Sequence, residues 1–401
     1  MPQRAPRRRA QEHSEPDRDP GVLHARAVCA LTVLNAFWDI AEVSKPLADA
    51  GPLMRPEPAD GGGGPDDRPR HPLVLVGAAM LALWEKRDPD QALRVSAAHF
   101  DSADPWTRSG SRLMHALMSL AMGRVDQVAD GCAEALAGFE AIGDRWGMAL
   151  ALVGQAELSA LDGDHARAIA VLERATELSR ELTDWEDTAQ MYASLAKSRS
   201  RLGDYGGALA DMARAQRAAR DQGESESDLW ITYVRAELEW LRGDLAEAGR
   251  IARLLDARMA SKNTPMIWSF QAQARNRSAL ADIRSGQVAE GRAALADALR
   301  LAGVSLDRSA VAIVVDGIAA AALWADGSRA SAERAAVLLG AAHTIRGAFD
   351  HSSLEAPQAR DTARRMLGGQ AFERAYRRGR ELGYDEALAL AEETARTSPE
   401  M

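Results

Sequence analysis

The chain of 401 residues has only two cysteines, Cys29 and Cys132, too few for a disulfide framework. Cys132 falls at an apolar helical position and is expected in the core. Lysine is nearly absent (Lys45, Lys86, Lys197, Lys262) while arginine is abundant, a bias that reflects genome composition and not mechanism. A formal net charge of −9 and a pI near 5.5 argue against direct nucleic-acid binding by this chain alone. No apolar run is fit to cross a membrane. Leu73–Trp84 is too short and Ala310–Trp324 carries Asp316 in its middle, so both are expected as buried helices. Arg4 and Arg7–Arg9 precede the apolar stretch Ala27–Trp38, but Glu12, Glu15, Asp17 and Asp19 intervene, which is not the layout of a secretory signal. No membrane association and a cytoplasmic location are the expectation.

Motifs of catalysis are missing too. There is no G-x-x-x-x-G-K-[ST], and the four glycines Gly61–Gly64 follow no strand pattern. The histidines show no H-E-x-x-H or zinc-ligand spacing. Ser109-Gly110-Ser111 lacks the frame of a nucleophile elbow, and Arg377, Arg378 and Arg380 read as a solvated helix face. No cofactor, no metal and no enzymatic activity are expected.

What is present is a repeat. Gly123, Gly163, Gly203, Gly243, Gly286 and Gly327 recur at intervals near 40 residues. Seven positions before them stand Ala116, Ala156, Ala196, Ala236, Ala279 and Ala320. Five after come Val128, Ala168, Ala208, Ala248, Gly291 and Ala332; twelve after come Ala135, Ala175, Ala215, Leu255, Ala298 and Leu339. Such a period in an Ala-rich, helix-patterned chain marks an α-solenoid, whose helical hairpins bury their apolar faces only by stacking. Each glycine falls where a helix must stop, in a conformation that glycine tolerates. Asp164, Asp204 and Asp244 follow directly, placed to accept the free N–H groups of the next helix. The alanines lie where two antiparallel helices cross, and small side chains let the backbones approach. Trp146, Trp185 and Trp268 recur 17 or 18 residues before their glycines and read as packing between repeats.

These offsets resemble the tetratricopeptide repeat (TPR) over residues 73–347, with a period longer than the usual ~34. The resemblance implies an all-α, right-handed superhelix of about seven helical hairpins, the first of them (73–105) degenerate, with Arg87 at the glycine position. The rest divides into a polar tail (1–21), an N-terminal helical segment (22–50), a Gly/Pro-rich linker (51–72), and a C-terminal helical cap and tail (348–401). A second resemblance lies in residues 334–393, from RAAVLLGAAHTIRGAF to the runs around Phe372–Gly379, and in Asp104-Pro105-Trp106, Gly143–Gly147 and Asp184-Trp185-Glu186. These passages resemble the C-terminal region of actinobacterial AfsR/SARP-like regulators, which carry a bacterial transcriptional activator domain, and related ATP-binding LuxR-type regulators. That resemblance implies a sensor or interaction module of transcriptional control, here without a helix-turn-helix, winged helix or P-loop of its own. A generic TPR scaffold outside transcription is the alternative.

In TPR domains the first helix of each hairpin lines a concave groove that holds a protein or peptide partner. Counted from the glycines, that wall carries Gln190, Lys197, Arg201, Trp230, Tyr233, Glu237, Trp240, Gln273, Asn276 and Arg277. Cations beside aromatics suit an acidic or carboxylate-bearing peptide. Internal pairing of Glu237 with Lys197 or Arg277 would weaken that reading, and a plain solvated inner wall is the other one. On either reading, substitutions there are expected to alter folding stability by no more than roughly 0.5 kcal/mol.

Overall fold

The computed structural model describes residues 89–180, 187–220, 227–260 and 265–396. The polar tail, the segment 22–50, the linker, the first part of the degenerate repeat, Cys29 and Trp185 lie outside these residues. Among the described residues there are sixteen α-helices, one short 3-10 turn (Val125–Gln127) and no strand. Helix α1 (Pro89–Ala97) belongs to the degenerate repeat. Six hairpins follow: α2 (Pro105–Ala121) with α3 (Val128–Ile142), α4 (Arg145–Leu161) with α5 (His165–Arg180), and α6 (Asp187–Arg201) with α7 (Tyr205–Arg220). Next come α8 (Ser227–Leu241) with α9 (Leu245–Met259), α10 (Pro265–Arg284) with α11 (Val288–Val304), and α12 (Arg308–Ala325) with α13 (Arg329–Arg346). Three shorter helices end the chain: α14 (Ala356–Leu367), α15 (Gly369–Arg380) and α16 (Tyr384–Arg396).

Local chemistry accounts for the hairpins. All six repeat glycines sit at positive φ, from +63° to +91°, where a side chain would be strained. The aspartate after the glycine accepts a helix-opening N–H as expected: Arg167 N–H to Asp164 (3.0 Å), Gly207 N–H to Asp204 (2.9 Å) and Glu247 N–H to Asp244 (3.0 Å). Where the pair is lost, Ser328 takes over by accepting from Ser331 N–H, and Gln287 supplies no side-chain cap. The six alanines at the helix crossings are buried, and Cys132 is fully buried among them, its thiol pushed up to about 11 by burial.

A second set of aspartates joins one hairpin to the next. Asp144 caps α4 through Trp146 N–H and Gly147 N–H and also accepts the indole N–H of Trp106 at 2.7 Å. Asp307 caps α12 and accepts the Ser269 hydroxyl at 2.6 Å. Trp106 and Trp146 stack at 6.3 Å, so tryptophans at the start of a first helix do pack between repeats.

The superhelix closes on itself. A methyl group added at Gly123, in the turn after α2, would meet the Ile345 carbonyl at 2.2 Å, and one at Gly347, after α13, would meet the Gly123 carbonyl at 2.1 Å. The first complete hairpin therefore touches the last, backbone to backbone. The largest apolar cluster lies at the C-terminal end, where α10–α13 pack with α14–α16. There Gly340 and Gly379 let α13 and α15 touch, since a methyl at either would strike the other helix's backbone within about 2.1 Å. Helix α12 is long and apolar enough to cross a membrane, but its surface is mostly buried in this core.

Candidate functional site

The first helices α4, α6, α8, α10 and α12 turn polar side chains into one interior. From α6 come Lys197 and Arg201, one helical turn apart; from α8 Tyr233 and Glu237, again one turn apart; from α10 Asn276 and Arg277; from α12 Asp316. Glu237 is the centre. Its carboxylate lies 3.3 Å from Arg201, 3.5 Å from Arg277 and 3.9 Å from Lys197, and it accepts the Tyr233 hydroxyl at 3.4 Å. Burial would push this acid up, yet the three cations hold it at about 2, well below the usual carboxylate range. Burial, and next the charge of Glu237, raise the Tyr233 phenol. Arg277 is raised as well: burial opposes its charge, but Glu355, Tyr233 and Glu237 outweigh that.

The aromatics are spent on the same cations. Lys197 lies over Trp230 (5.3 Å) and Arg277 over Trp240 (4.7 Å), while Trp230 stacks on Tyr233 at 5.6 Å. Asn276 packs its amide against Gly317, where any side chain would strike it. Gln190 and Gln273 stand apart. Gln273 turns its amide to Ser269 (3.5 Å).

The expected open wall is therefore not what forms. Tyr233, Glu237, Asn276 and Arg277 are each no more than 5% exposed. The reason is the non-helical segment between α13 and α14, residues 347–355, which crosses the interior. His351 N–H donates to the Leu161 carbonyl (2.9 Å) at the end of α4. The Ser352 carbonyl accepts from Arg201 Nε (2.8 Å), and Glu355 forms a charge-assisted pair with Arg277. Glycine rotation and alanine spacing report which way each helix faces; they do not report that a distant segment fills the space. The expected tolerance to substitution falls with it, because removing a partner from a buried ion pair is costly.

Sequence reasoning missed the residues that complete the cluster: Arg346, Asp350 and Glu355, with His165 at the start of α5. Arg346 is fully enclosed, bonds Asp316 at 2.7 Å and lies 3.9 Å from Asp350. Burial pushes the Asp316 carboxyl up to about 6 despite Arg346, with Asp350 and Glu355 adding to the rise. His165 is buried and held neutral: burial first, then Arg201 and Lys197, bring its imidazole down to about 4. Glu157 of α4 is exposed to solvent although protein surrounds much of it; burial raises it, Lys197 opposes and Asp350 assists. One signal for part of this set was visible. Asp316 is the single charge in the apolar run Ala310–Trp324, and a buried charge requires a partner.

Seven of the ten buried polar atoms without a hydrogen-bond partner, among the described residues, belong to this interior: on His165, Arg201, Trp230, Glu237, Asn276, Arg277 and Arg346. Among the described residues no group of three or more His, Cys, Asp or Glu could hold a metal ion. The interior is thus rich in buried charge and in polar atoms left without partners.

Comparison with known proteins gives the fold and no more. No family model matches the chain, and no curated protein matches it. Among solved structures it is similar to a Rap protein complexed with competence and sporulation factor, with a TM-score of 0.65 at 12% identity over 92% of this chain and 99% of that one. The apo quorum sensor NprR from B. thuringiensis is also similar, with a TM-score of 0.47 at 12% identity over 86% of this chain and 99% of that one. The chain is an all-α protein whose helices pack pairwise as TPR-like repeats, with the fold of that Rap protein.

Proposed function

We propose that this chain is a non-catalytic sensor module that binds a protein or peptide partner in its charged interior, and that it serves a transcriptional regulator of AfsR/SARP type. The observation that carries the binding part is the convergence of Lys197, Arg201, Tyr233, Glu237 and Arg277 from three successive first helices. A structural core needs no such cluster, since buried ion pairs contribute little net stability against apolar packing. The similar Rap protein is held with a competence and sporulation factor, which fits a fold used to bind a regulatory partner. Support for the transcriptional part is the likeness of residues 334–393 to the C-terminal region of such regulators. Two glycines of that passage, Gly340 and Gly379, are residues that join α13 to α15. Partner recognition, with the DNA-binding and ATP-hydrolysing parts supplied elsewhere, is the role this leaves for the chain.

The test is affinity capture from native lysate, followed by calorimetry of the purified partner with wild type and Arg201→Gln. The variant should weaken binding at least tenfold while keeping its helical circular dichroism. Undiminished affinity would remove the interior as the site. A partner bearing a DNA-binding domain or P-loop ATPase supports the transcriptional reading; a partner with neither favours the general TPR scaffold.

A further inference from the structure

We infer that residues 347–355 are a built-in ligand, and that the true partner is an acidic peptide segment which displaces them; this rests on the interior being a binding site. The segment touches four of the six hairpins, in the manner of a bound peptide. Gly347 touches the turn at Gly123, His351 the end of α4, Ser352 the end of α6, and Glu355 the middle of α10. It is held by side-chain charge and by two bonds to its own backbone, the His351 N–H and the Ser352 carbonyl. Its course is set internally: Asp350 accepts Ser352 N–H (2.8 Å) and Ser353 N–H (3.0 Å), and the Ser353 hydroxyl accepts Glu355 N–H (3.2 Å) and Ala356 N–H (3.1 Å).

Charge balance defines what may replace it. Lys197, Arg201, Arg277 and Arg346 face Glu237 and Asp316, with the exposed Glu157 near Lys197. Setting aside Glu157, which is exposed to solvent, four cations face two acids without the segment, and Asp350 and Glu355 bring that count into balance. A replacement must therefore carry at least two carboxylates, placed about as Asp350 and Glu355 are along this turned segment. The built-in segment also fits incompletely. Arg201 Nη1, Arg277 Nε and Arg346 Nε are buried donors that it leaves without a hydrogen-bond acceptor. A ligand that supplies acceptors there gains charge-assisted bonds the segment does not make, which is the differential interaction a displacement requires. Until then, the tether keeps the segment at an effective concentration of order millimolar, so a weaker or uncharged peptide cannot compete.

The experiment measures fluorescence anisotropy of a labelled synthetic peptide with the sequence of Ala348–Glu355, AFDHSSLE, against the full chain. Wild type and the double variant Asp350→Asn/Glu355→Gln are compared, with a control peptide carrying Asn and Gln in place of its two acids. The double variant should bind the acidic peptide at least tenfold more tightly than wild type, ignore the control peptide, and lose the gain when Arg201→Gln is added. Equal binding to wild type and double variant, abolished by Arg201→Gln, overturns the built-in ligand but leaves the interior as a binding site. No binding to either, with circular dichroism unchanged, overturns both. If the double variant does not fold, amide hydrogen exchange of wild type decides instead. Saturating acidic peptide should speed exchange at His351 at least tenfold, and unchanged protection there overturns the proposal.

Discussion

Replacing Glu237 by glutamine tests the electrostatics of the interior most directly. The change keeps the volume and an acceptor for Tyr233, and it removes one charge that faces three cations. Two routes give its size. The acid's fall from 4.5 to about 2 corresponds, at about 1.4 kcal/mol per pKa unit, to about 3 kcal/mol of stabilisation at neutral pH. Independently, stripping one partner from a buried ion pair typically costs about 3–5 kcal/mol. Lys197 is a quarter exposed and its share is screened, so Arg201 and Arg277, at 7% and 3% exposure, carry most of the effect. Urea unfolding followed by far-UV circular dichroism at pH 7 should show Glu237→Gln less stable by about 3 kcal/mol. The sign of the pH dependence follows from the lowered value. The contribution is complete above pH 4.5 and is lost as pH falls toward about 2, so the gap between wild type and variant must narrow below pH 4.5. A gap within about 0.5 kcal/mol at pH 7, the typical range for a surface substitution, refutes the reasoning. So does a gap that stays constant on acidification.

The fold was legible because its determinants are local. A glycine that ends a helix, an aspartate that caps the next, and an alanine at a crossing each act within a few residues, and a period near 40 repeats them. The direction of the interior side chains was legible for the same reason, which is why Lys197, Arg201, Tyr233, Glu237 and Arg277 come together. Their partners were not. Arg201 meets Ser352 from 151 residues away and Arg277 meets Glu355 from 78 away, across a segment with no helical period to read. Closure of the superhelix was equally hidden, because it depends on the summed rotation of six hairpins and a contact between Gly123 and Gly347. The apparent paradox of Glu237 among candidate peptide-binding cations resolves in this light. It is an internal counter-charge for the buried Arg201 and Arg277, with the partly exposed Lys197 beside them.

Three further perturbations probe the frame around that interior. Gly123→Ala and Gly203→Ala share a positive φ (73° and 78°), but only the first would strike another backbone, so thermal unfolding should show about 1 kcal/mol lost at Gly203 and clearly more at Gly123. Equal losses would mean that ring closure contributes nothing. Asp144→Ala removes both the α4 cap and the Trp106 indole bond, and urea unfolding should show a loss of about 1–2 kcal/mol with a changed tryptophan fluorescence spectrum. His165 loses stability on acidification as Glu237 does, but in a higher pH window. Its imidazole is held down to about 4 while the unfolded chain titrates near 6.5, so acidification protonates the unfolded state first and stability falls with pH through that window. At pH 5 this amounts to about 2 kcal/mol, which His165→Gln should abolish. Asp316 works against it, because its raised value of about 6 makes protonation favour the native state as pH falls from 6 toward 3.8. Wild type should therefore lose little stability between pH 6 and 5, and His165→Gln should gain. A variant whose stability tracks that of wild type across this range would show that burial, with Arg201 and Lys197, does not hold His165 neutral.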